Sequence, residues 1–90
     1  MPNTKKEIYI FLYHKRNEPA RTAYYIANHS PYSYPTIKKY LDEMVKEGVA
    51  LEVKLFKRIY NPIKEKYELV NTGKIGYKLN IKYLQEQGLI

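Results

Sequence analysis

Residues 33–49 read SYPTIKKYLDEMVKEGV, and this stretch decides the fold. Its apolar side chains recur every three or four positions, the spacing that places side chains on one face of an α-helix. Ser33 stands where an N-cap is expected, and Pro35 falls in the first turn, where its missing N–H costs nothing. Gly48 closes the pattern, as glycine commonly does after a helix. The predicted helix buries a stripe formed by Ile37, Leu41, Met44 and Val45.

Two further helices are predicted before this stretch. The first runs from Thr4 to about Lys15 and opens with a capping-box pattern, in which Thr4 is followed three positions later by Glu7. A polar break ending at Pro19 separates it from a short second helix, from about Arg21 to Asn28. Residues 29–32 must then turn, because a residue that precedes proline avoids the helical region.

After Gly48 the apolar pattern changes from a helical period to a period of two. Residues 49–55 alternate apolar and polar side chains, which predicts a half-buried strand. Residues 67–70 alternate in the same way, and residues 59–64 between the two runs hold the turn residues of a hairpin tip. The two runs are therefore predicted to form a two-stranded antiparallel ribbon.

The chain is predicted to end in another helix, at about residues 72–87. Asn71 offers a cap for it, and an apolar side chain recurs every fourth position along one face, at Ile75, Leu79 and Tyr83. No internal repeat, low-complexity tract or flexible linker interrupts the sequence, so residues 1–90 are expected to form one domain. The fold class is therefore α+β, with a three-helix core, a two-stranded ribbon and a C-terminal helix.

Composition restricts the possible functions. The 90 residues include no cysteine, which excludes disulfides, thiolate metal sites and a cysteine nucleophile. Sixteen basic against nine acidic residues give a net charge of +7, and aromatic residues make up 14%, eleven of the thirteen being tyrosine. Such a balance favours a polyanionic partner, although a surplus of lysine can also serve only to keep a protein in solution.

Catalysis and cofactor binding find no support in the residues. His14 and His29 are the only histidines, and no acid pair stands beside a glycine-rich loop. We therefore expect neither an enzyme nor a metal site or cofactor, and we infer no small-molecule effector from the sequence. The longest uncharged run, residues 8–14, is far shorter than the about 20 residues that span a bilayer, so a soluble, intracellular, cytoplasmic protein without a membrane partner is expected.

The charges along the helix within residues 33–49 are arranged against its macrodipole. Lys38 and Lys39 lie in its N-terminal half, whereas Asp42, Glu43 and Glu47 outnumber Lys46 in its C-terminal half. This order is mildly unfavourable to the helix itself. It would suit an N-terminal half that approaches phosphates while the other half points away from them. The alternative is that the charges of a short surface helix fall this way by chance.

The residues from Thr22 to Val49 resemble the winged helix-turn-helix family. That family's recognition helix shows Ser or Thr, a β-branched apolar residue, two polar residues, an aromatic, Leu and a closing Gly, which residues 33–49 match. Residues 67–74 look like the family's last strand entering its final helix, with Val70 where Thr is common, and the resemblance covers roughly residues 4–85. Small regulators of this build are frequent in thermophilic archaea and their viruses, whose Tyr-, Ile- and Lys-rich composition is similar; for a viral protein the expected location is the host cell.

The resemblance implies a sequence-specific, double-stranded DNA-binding transcriptional regulator whose recognition helix enters the major groove. Outside the apolar stripe, the N-terminal half of that helix offers candidate base and phosphate contacts at Ser33, Tyr34, Thr36, Lys38 and Lys39. The ribbon is the basic arm, with a net charge of +3 over residues 50–67, and its candidates are Lys57, Arg58, Lys64 and Lys66. Arg21 and Thr22 could meet a phosphate at the start of the second helix.

Each of these assignments has an alternative. Tyr34 could be a packed tyrosine, and lysines on an edge strand can serve to discourage aggregation. Loop tyrosines such as Tyr32, Tyr34 and Tyr60 could instead stack on single-stranded nucleic acid. The basic surface could also belong to a winged-helix interaction module that binds an acidic protein in a transcription or replication assembly.

Useful DNA specificity would require two copies, because one short helix reads only a few base pairs. A homodimer is therefore expected. Its predicted surface is the last helix, through Ile75, Leu79 and Tyr83, to which the Tyr9 and Tyr13 side of the first helix could add. The alternative is a monomer in which the last helix packs on its own core.

Overall fold

A computed structural model describes residues 3–90, in which four helices and three strands form an α+β fold. The predicted domain, residues 1–90, begins with two residues that lie outside this part. The three strands form one antiparallel sheet in the order β1-β3-β2. In chain order the elements are α1 (Asn3–His14), β1 (Arg21–Thr22), α2 (Ala23–Asn28), α3 (Tyr34–Lys46), β2 (Ala50–Asn61), β3 (Lys66–Leu79) and α4 (Ile81–Glu86).

The three predicted helices before residue 48 are confirmed, with corrections at their N-termini. Because α1 already begins at Asn3, Thr4 lies within its first turn and cannot act as its cap. The second helix is shorter than predicted, since Arg21 and Thr22 are extended and pair with Tyr77 and Gly76 of β3. Thr22 nevertheless caps α2, because its Oγ1 accepts a hydrogen bond from the backbone N–H of Tyr25 at 3.1 Å.

The core is built around α3. Ile37, Leu41 and Met44 of this helix are fully buried, as the spacing predicts. Burying a side chain of this size contributes about 1.5–3 kcal/mol relative to leaving it exposed. The partners of this stripe come from α1, α2, α4 and the sheet, and they are Ile8, Leu12, Ala23, Ile26, Ala50, Tyr77, Leu79 and Leu84.

Two glycines allow the helices and the sheet to meet. Gly48 follows α3 in the left-handed region, at φ +82°, and the Tyr83 ring of α4 lies 3.5 Å from where its Cβ would be. Gly76 of β3 lies where a Cβ would come within 2.9 Å of the Ala20 Cβ and 3.0 Å of Leu55. At Gly76 the missing side chain therefore permits β1 and β2 to flank β3 closely.

The predicted helix at residues 72–87 is wrong over most of its length. Residues 72–79 belong to β3, where Ile75 pairs with Lys54 and Leu79 pairs with Ala50, and α4 covers only Ile81–Glu86. The helix begins late because Asn80 is its cap, its Oδ1 accepting from the backbone N–H of Tyr83 at 3.2 Å. The strand is favoured because it lets Tyr77 and Leu79 enter the core on one face of the sheet.

This correction removes the helical face predicted for a dimer. Leu79 is buried in the core, Ile75 is exposed on the strand, and Tyr83 is half-buried on α4 against Gly48. The three residues therefore share no helical face. On α1, Tyr9 and Tyr13 pack at the margin of the core.

The ribbon is longer than predicted and carries an irregularity at its base. Strand β2 continues to Asn61, so the turn is at residues 62–65 and not at 59–64. Between the pairs Lys54–Ile75 and Phe56–Asn71, β2 advances two residues and β3 advances four, which makes a β-bulge. Gly73, at φ +76°, lies in this bulge. Beyond it, residues 56–71 form a two-stranded hairpin that we call the distal ribbon; the rest we call the helical body.

Side chains on both strands hold the bulge in place. The Thr72 Oγ1 donates to the Leu55 carbonyl at 2.8 Å and accepts from the backbone N–H of Lys74 at 3.2 Å. The Asn71 Oδ1 accepts from the backbone N–H of Gly73 at 2.9 Å. Hydrogen bonds from side chains of both the bulge and its flanking residues thus define the base of the distal ribbon. The molecule measures 53 × 32 × 21 Å.

Candidate functional site

An open cleft of about 520 Å³ separates the N-terminal half of α3 from the base of the distal ribbon. Helix α2 forms one end of it through Ala23 and Tyr24, after the cap Thr22. Tyr34 and Lys38 of α3 form one wall, and residues 73–77 of β3 form the other. The N-terminal half of α3 therefore borders a concave surface and is not covered by the ribbon.

Lys38 spans this cleft instead of extending freely from the helix. Its Nζ donates to the Asp42 carboxylate at 2.8 Å and to the Tyr77 hydroxyl at 2.7 Å. These two hydrogen bonds, of which the one to Asp42 has the larger effect, raise the pKa of Lys38 well above its usual range. From its position outside the apolar stripe, Lys38 is predicted to face outward as a groove contact. The structure corrects this, because β3 lies beside α3 and supplies a second partner 39 residues away in the chain.

The other predicted contacts on α3 differ in their exposure. Ser33 and Lys39 are exposed, whereas Thr36 is half-buried and its hydroxyl lies 3.0 Å from that of Ser33. Within residues 3–90, Lys39 forms no ion pair with a carboxylate. Lys39 is thus the lysine of the N-terminal half of α3 whose charge is available to a partner.

Tyr34 is both packed and partly accessible. Its ring stacks on that of Tyr24 with a centroid distance of 4.5 Å and an interplanar angle of 26°. Tyr24 itself is exposed, and both side chains line the cleft. No sequence motif marks Tyr24 as a site residue, and only the packing of α2 against α3 brings the two rings together.

Two acidic side chains at the C-terminal end of α3, Glu43 and Glu47, face α1. Lys5 of α1 forms ion pairs with Glu43, at 3.8 Å, and with Glu47. The hydrogen bond with Glu47, followed by the charges of both carboxylates, raises the pKa of Lys5 against the opposing effect of its burial. Because Asp42 pairs with Lys38, all three acids of the C-terminal half have basic partners within the helical body.

Thr22 lines the cleft and Arg21 precedes it in β1, and both have structural contacts of their own. The Arg21 guanidinium donates to the Glu18 carboxylate at 3.3 Å and lies 4.8 Å from the centre of the Tyr25 ring. Its Nε is buried and has no hydrogen-bond partner among the described residues. The Thr22 hydroxyl caps α2. Contact of either residue with a phosphate stays a prediction.

The predicted cations of the distal ribbon lie on different sides. The strand register places Lys57 and Lys66 on one side and Arg58 on the other. Lys64 lies in the turn and pairs with Glu68 at 3.3 Å, while the Arg58 guanidinium lies 5.1 Å from the centre of the Tyr67 ring. The ribbon is therefore two-sided, with most of its lysines away from Arg58.

Within residues 3–90, neither a metal-binding cluster nor a membrane-spanning helix is found. Over residues 3–90, no three His, Asp or Glu side chains are grouped so that they could hold a metal ion. In the same range, every helix is too short or too polar to cross a membrane. Compared with protein-family models, curated proteins and solved structures, the chain has no match.

Proposed function

We propose that this chain is a winged helix-turn-helix protein that binds double-stranded DNA sequence-specifically and regulates transcription. In this proposal α3 is the recognition helix and the distal ribbon is the wing. The observation that carries it is the open cleft of about 520 Å³ beside the N-terminal half of α3, in a chain of net charge +7. The order of elements, three helices followed by a hairpin that pairs with a short strand before α2, agrees with that fold.

The dimensions and charges of α3 suit a major groove. Its 13 residues span about 20 Å, and a groove about 12 Å wide admits one helix. The N-terminal half presents Lys39 and Ser33, whose side chains can donate to base edges or phosphates. The acids of the other half are held by Lys5 and Lys38, which reduces their repulsion of phosphates approaching the cleft.

Lys38 has a different part in this proposal from the one that the sequence suggests. Because it joins α3 to Tyr77 of β3, it ties the recognition helix to the part of the sheet from which the wing extends. Ribbon cations at Lys57, Lys64 and Lys66 would follow the phosphate backbone, giving affinity without sequence preference. Two copies would read half-sites about 34 Å apart.

The test is selection of bound duplexes from a random pool, followed by affinity measurements over a range of salt concentrations. We expect enrichment of one sequence and a linear fall of log affinity with log salt, with a slope near 0.9 per phosphate contacted. Lys39→Ala should change sequence preference, whereas Lys64→Ala should weaken binding to all sequences alike. The matched control is Lys46→Ala, at the exposed C-terminal end of the same helix, which removes the same charge away from the cleft.

Enrichment of no sequence would contradict sequence-specific binding. Equal effects of Lys39→Ala and Lys46→Ala on every duplex would contradict the role given to α3. The second candidate, an interaction module that binds another protein, is favoured by the apolar side chains exposed along the ribbon, such as Phe56 and Leu69. It predicts binding to a protein that persists at salt concentrations which abolish binding to duplexes.

A further inference from the structure

One side of the distal ribbon carries its three aromatic rings and a leucine beside two polar residues, Arg58 and Asn71. Cross-strand partners lie on the same side of a sheet, so the pairs Phe56–Asn71, Arg58–Leu69 and Tyr60–Tyr67 share one side. We call this side the aromatic face. The opposite side carries the pairs Lys57–Val70, Ile59–Glu68 and Asn61–Lys66, and we call it the mixed face.

The aromatic face is exposed to solvent, and several of its side chains contact one another. Phe56 is 55% exposed, Tyr67 62% and Leu69 73%, and none of the three touches the core of the helical body. The Tyr60 and Tyr67 rings lie 5.2 Å apart, and Arg58 lies over the Tyr67 ring. Adjacent exposed apolar side chains on a small protein usually mark an interaction surface.

Nothing in the described chain shields this part of the sheet. The third strand, β1, pairs only with Gly76 and Tyr77, so residues 56–71 remain two-stranded. An isolated two-stranded hairpin is marginally stable in water and gains stability when its apolar face is covered. The ribbon therefore benefits from a partner that buries the aromatic face.

Charge and area favour a second copy of the chain as that partner. Arg58 is the one charged residue of the aromatic face, whereas Lys57, Lys66 and Glu68 lie on the mixed face. A polyanion would be drawn to the lysines, while two chains of net charge +7 approach most easily where their charges are fewest. The three aromatic rings expose roughly 350 Å² per copy. With Leu69 and the polar rim, complete burial of these side chains in two copies would approach about 1,000 Å², the lower limit for a specific interface.

We propose that the aromatic face binds the same face of a second copy, giving a two-fold symmetric dimer. Each copy then presents its mixed face and its turn to the outside, where Lys57, Lys64 and Lys66 remain accessible. The surface differs from the one predicted from Ile75, Leu79 and Tyr83. The inference does not depend on DNA binding, although it supplies the pair of copies that the proposed function requires.

The test is sedimentation equilibrium of the full chain without DNA. The double variant Phe56→Ser with Leu69→Ser removes two apolar side chains from the aromatic face. Its matched control, Ile59→Ser with Val70→Ser, removes two from the mixed face, each 42% exposed. We expect a wild-type dimer, a dissociation constant raised at least about 100-fold by the first variant, and a change within about threefold for the control.

Three outcomes would overturn the proposal. The first is a wild-type chain that is monomeric up to about 100 µM, a concentration at which even a weak dimer of micromolar affinity would form. The others are a dimer that persists in the first variant, and an equal rise of the dimer dissociation constant in the first variant and the control. Circular dichroism verifies that each variant is folded. If the first variant does not fold, the single change Leu69→Lys replaces it under the same criteria, because it places like charges across the two-fold axis.

A DNA measurement separates this inference from the proposed function. On a random-sequence duplex too short to hold two copies, where dimerisation adds no affinity, the first variant should bind as tightly as the wild type, since the lysines of the mixed face are unchanged. Loss of that affinity would mean that the aromatic face contacts DNA and would overturn self-association as its role. A wild-type dimer that binds no duplex would contradict the proposed function and leave the dimer surface established.

Discussion

In the helical body, Ile37, Leu41 and Met44 of α3 are shielded from solvent, whereas in the distal ribbon Phe56, Tyr67 and Leu69 keep more than half of their surface exposed. Both regions are rich in apolar side chains. The body buries its own against several elements, while the ribbon has only two strands, and a two-stranded sheet has no second layer to cover either side. The comparison teaches that the body stabilises the fold and that the ribbon's apolar side chains are available to a partner.

The largest expected loss of unfolding free energy distinguishes the helical body from the distal ribbon. Leu41→Ala leaves a cavity in the core and should lower the free energy of unfolding by about 2–5 kcal/mol. Ile63→Ala, at the tip of the ribbon and 93% exposed, should change it by less than about 0.5 kcal/mol. Urea denaturation measures both. Similar losses at the two positions would mean that the body and the ribbon do not differ as described.

The next largest loss of unfolding free energy is expected at Gly76, near the junction between the helical body and the distal ribbon. Gly76→Ala places a Cβ within 2.9 Å of the Ala20 Cβ and 3.0 Å of the Leu55 side chain, so overpacking should cost about 1–3 kcal/mol of unfolding free energy. Adding Ala20→Gly removes the closest contact and should recover part of the loss. A thermal or urea melt in which Gly76→Ala matches the wild type would show that the strands are not packed this closely.

A smaller effect is expected at the bulge where the ribbon begins. Gly73 has a φ of +76° and open space around it, so Gly73→Ala should cost about 1–2 kcal/mol through backbone strain alone. Gly73→Asn should cost less, because asparagine tolerates the left-handed region. Equal unfolding free energies for the alanine and asparagine variants would argue against this conformation.

The smallest effect concerns the hydrogen bond that joins α3 to β3. Tyr77→Phe removes the hydroxyl that accepts from Lys38, which should cost about 0.5–1.5 kcal/mol in urea denaturation. Asp42→Asn is the companion variant, because it keeps the Tyr77 hydroxyl and replaces the carboxylate whose hydrogen bond contributes most to the raised pKa of Lys38. Identical unfolding curves for wild type and Tyr77→Phe would contradict a stabilising role for this bond.

The raised pKa of Lys38 also sets a direction for the pH dependence. A lysine whose pKa is higher in the folded than in the unfolded state adds stability that is complete below its ordinary pKa of about 10.4 and is lost as the pH rises through the folded value. The alkaline decline in unfolding free energy should therefore be shallower in Asp42→Asn than in the wild type. A steeper decline in the variant would reverse the assigned sign.

The sequence predicts well where local pattern and tertiary burial agree. Residues 34–46 follow Ser33 at the N-cap position, although its hydroxyl contacts that of Thr36 and no backbone N–H, and the core buries their helical apolar stripe. The secondary structure of residues 72–79 is predicted wrongly because their apolar residues fit both a helical period and the period of two of a strand. Ile75 and Leu79 suit a helical spacing, but with Tyr77 they also alternate as in a strand, and pairing with β2 decides between the two.

The candidate site was predictable in part for the same reason. Ser33 and Lys39 are exposed, as their position outside the apolar stripe indicates. Lys38 is not free, because its partner Tyr77 comes from a strand that the sequence assigns to a helix. Tyr24 enters the cleft only through the packing of α2 on α3, and no pattern within a six-residue helix foretells that contact.

By itself, the sequence determined the main helix, the existence of a basic hairpin, the net charge of +7 and the absence of thiol chemistry. These depend on composition and on contacts between near neighbours in the chain. The tertiary structure alone decided the cleft, the engagement of Lys38 and the gathering of Phe56, Tyr67 and Leu69 on one face. Those features depend on strand register, which is set by the turn at residues 62–65 and by the bulge around Gly73, where side chains far apart in sequence are brought into line.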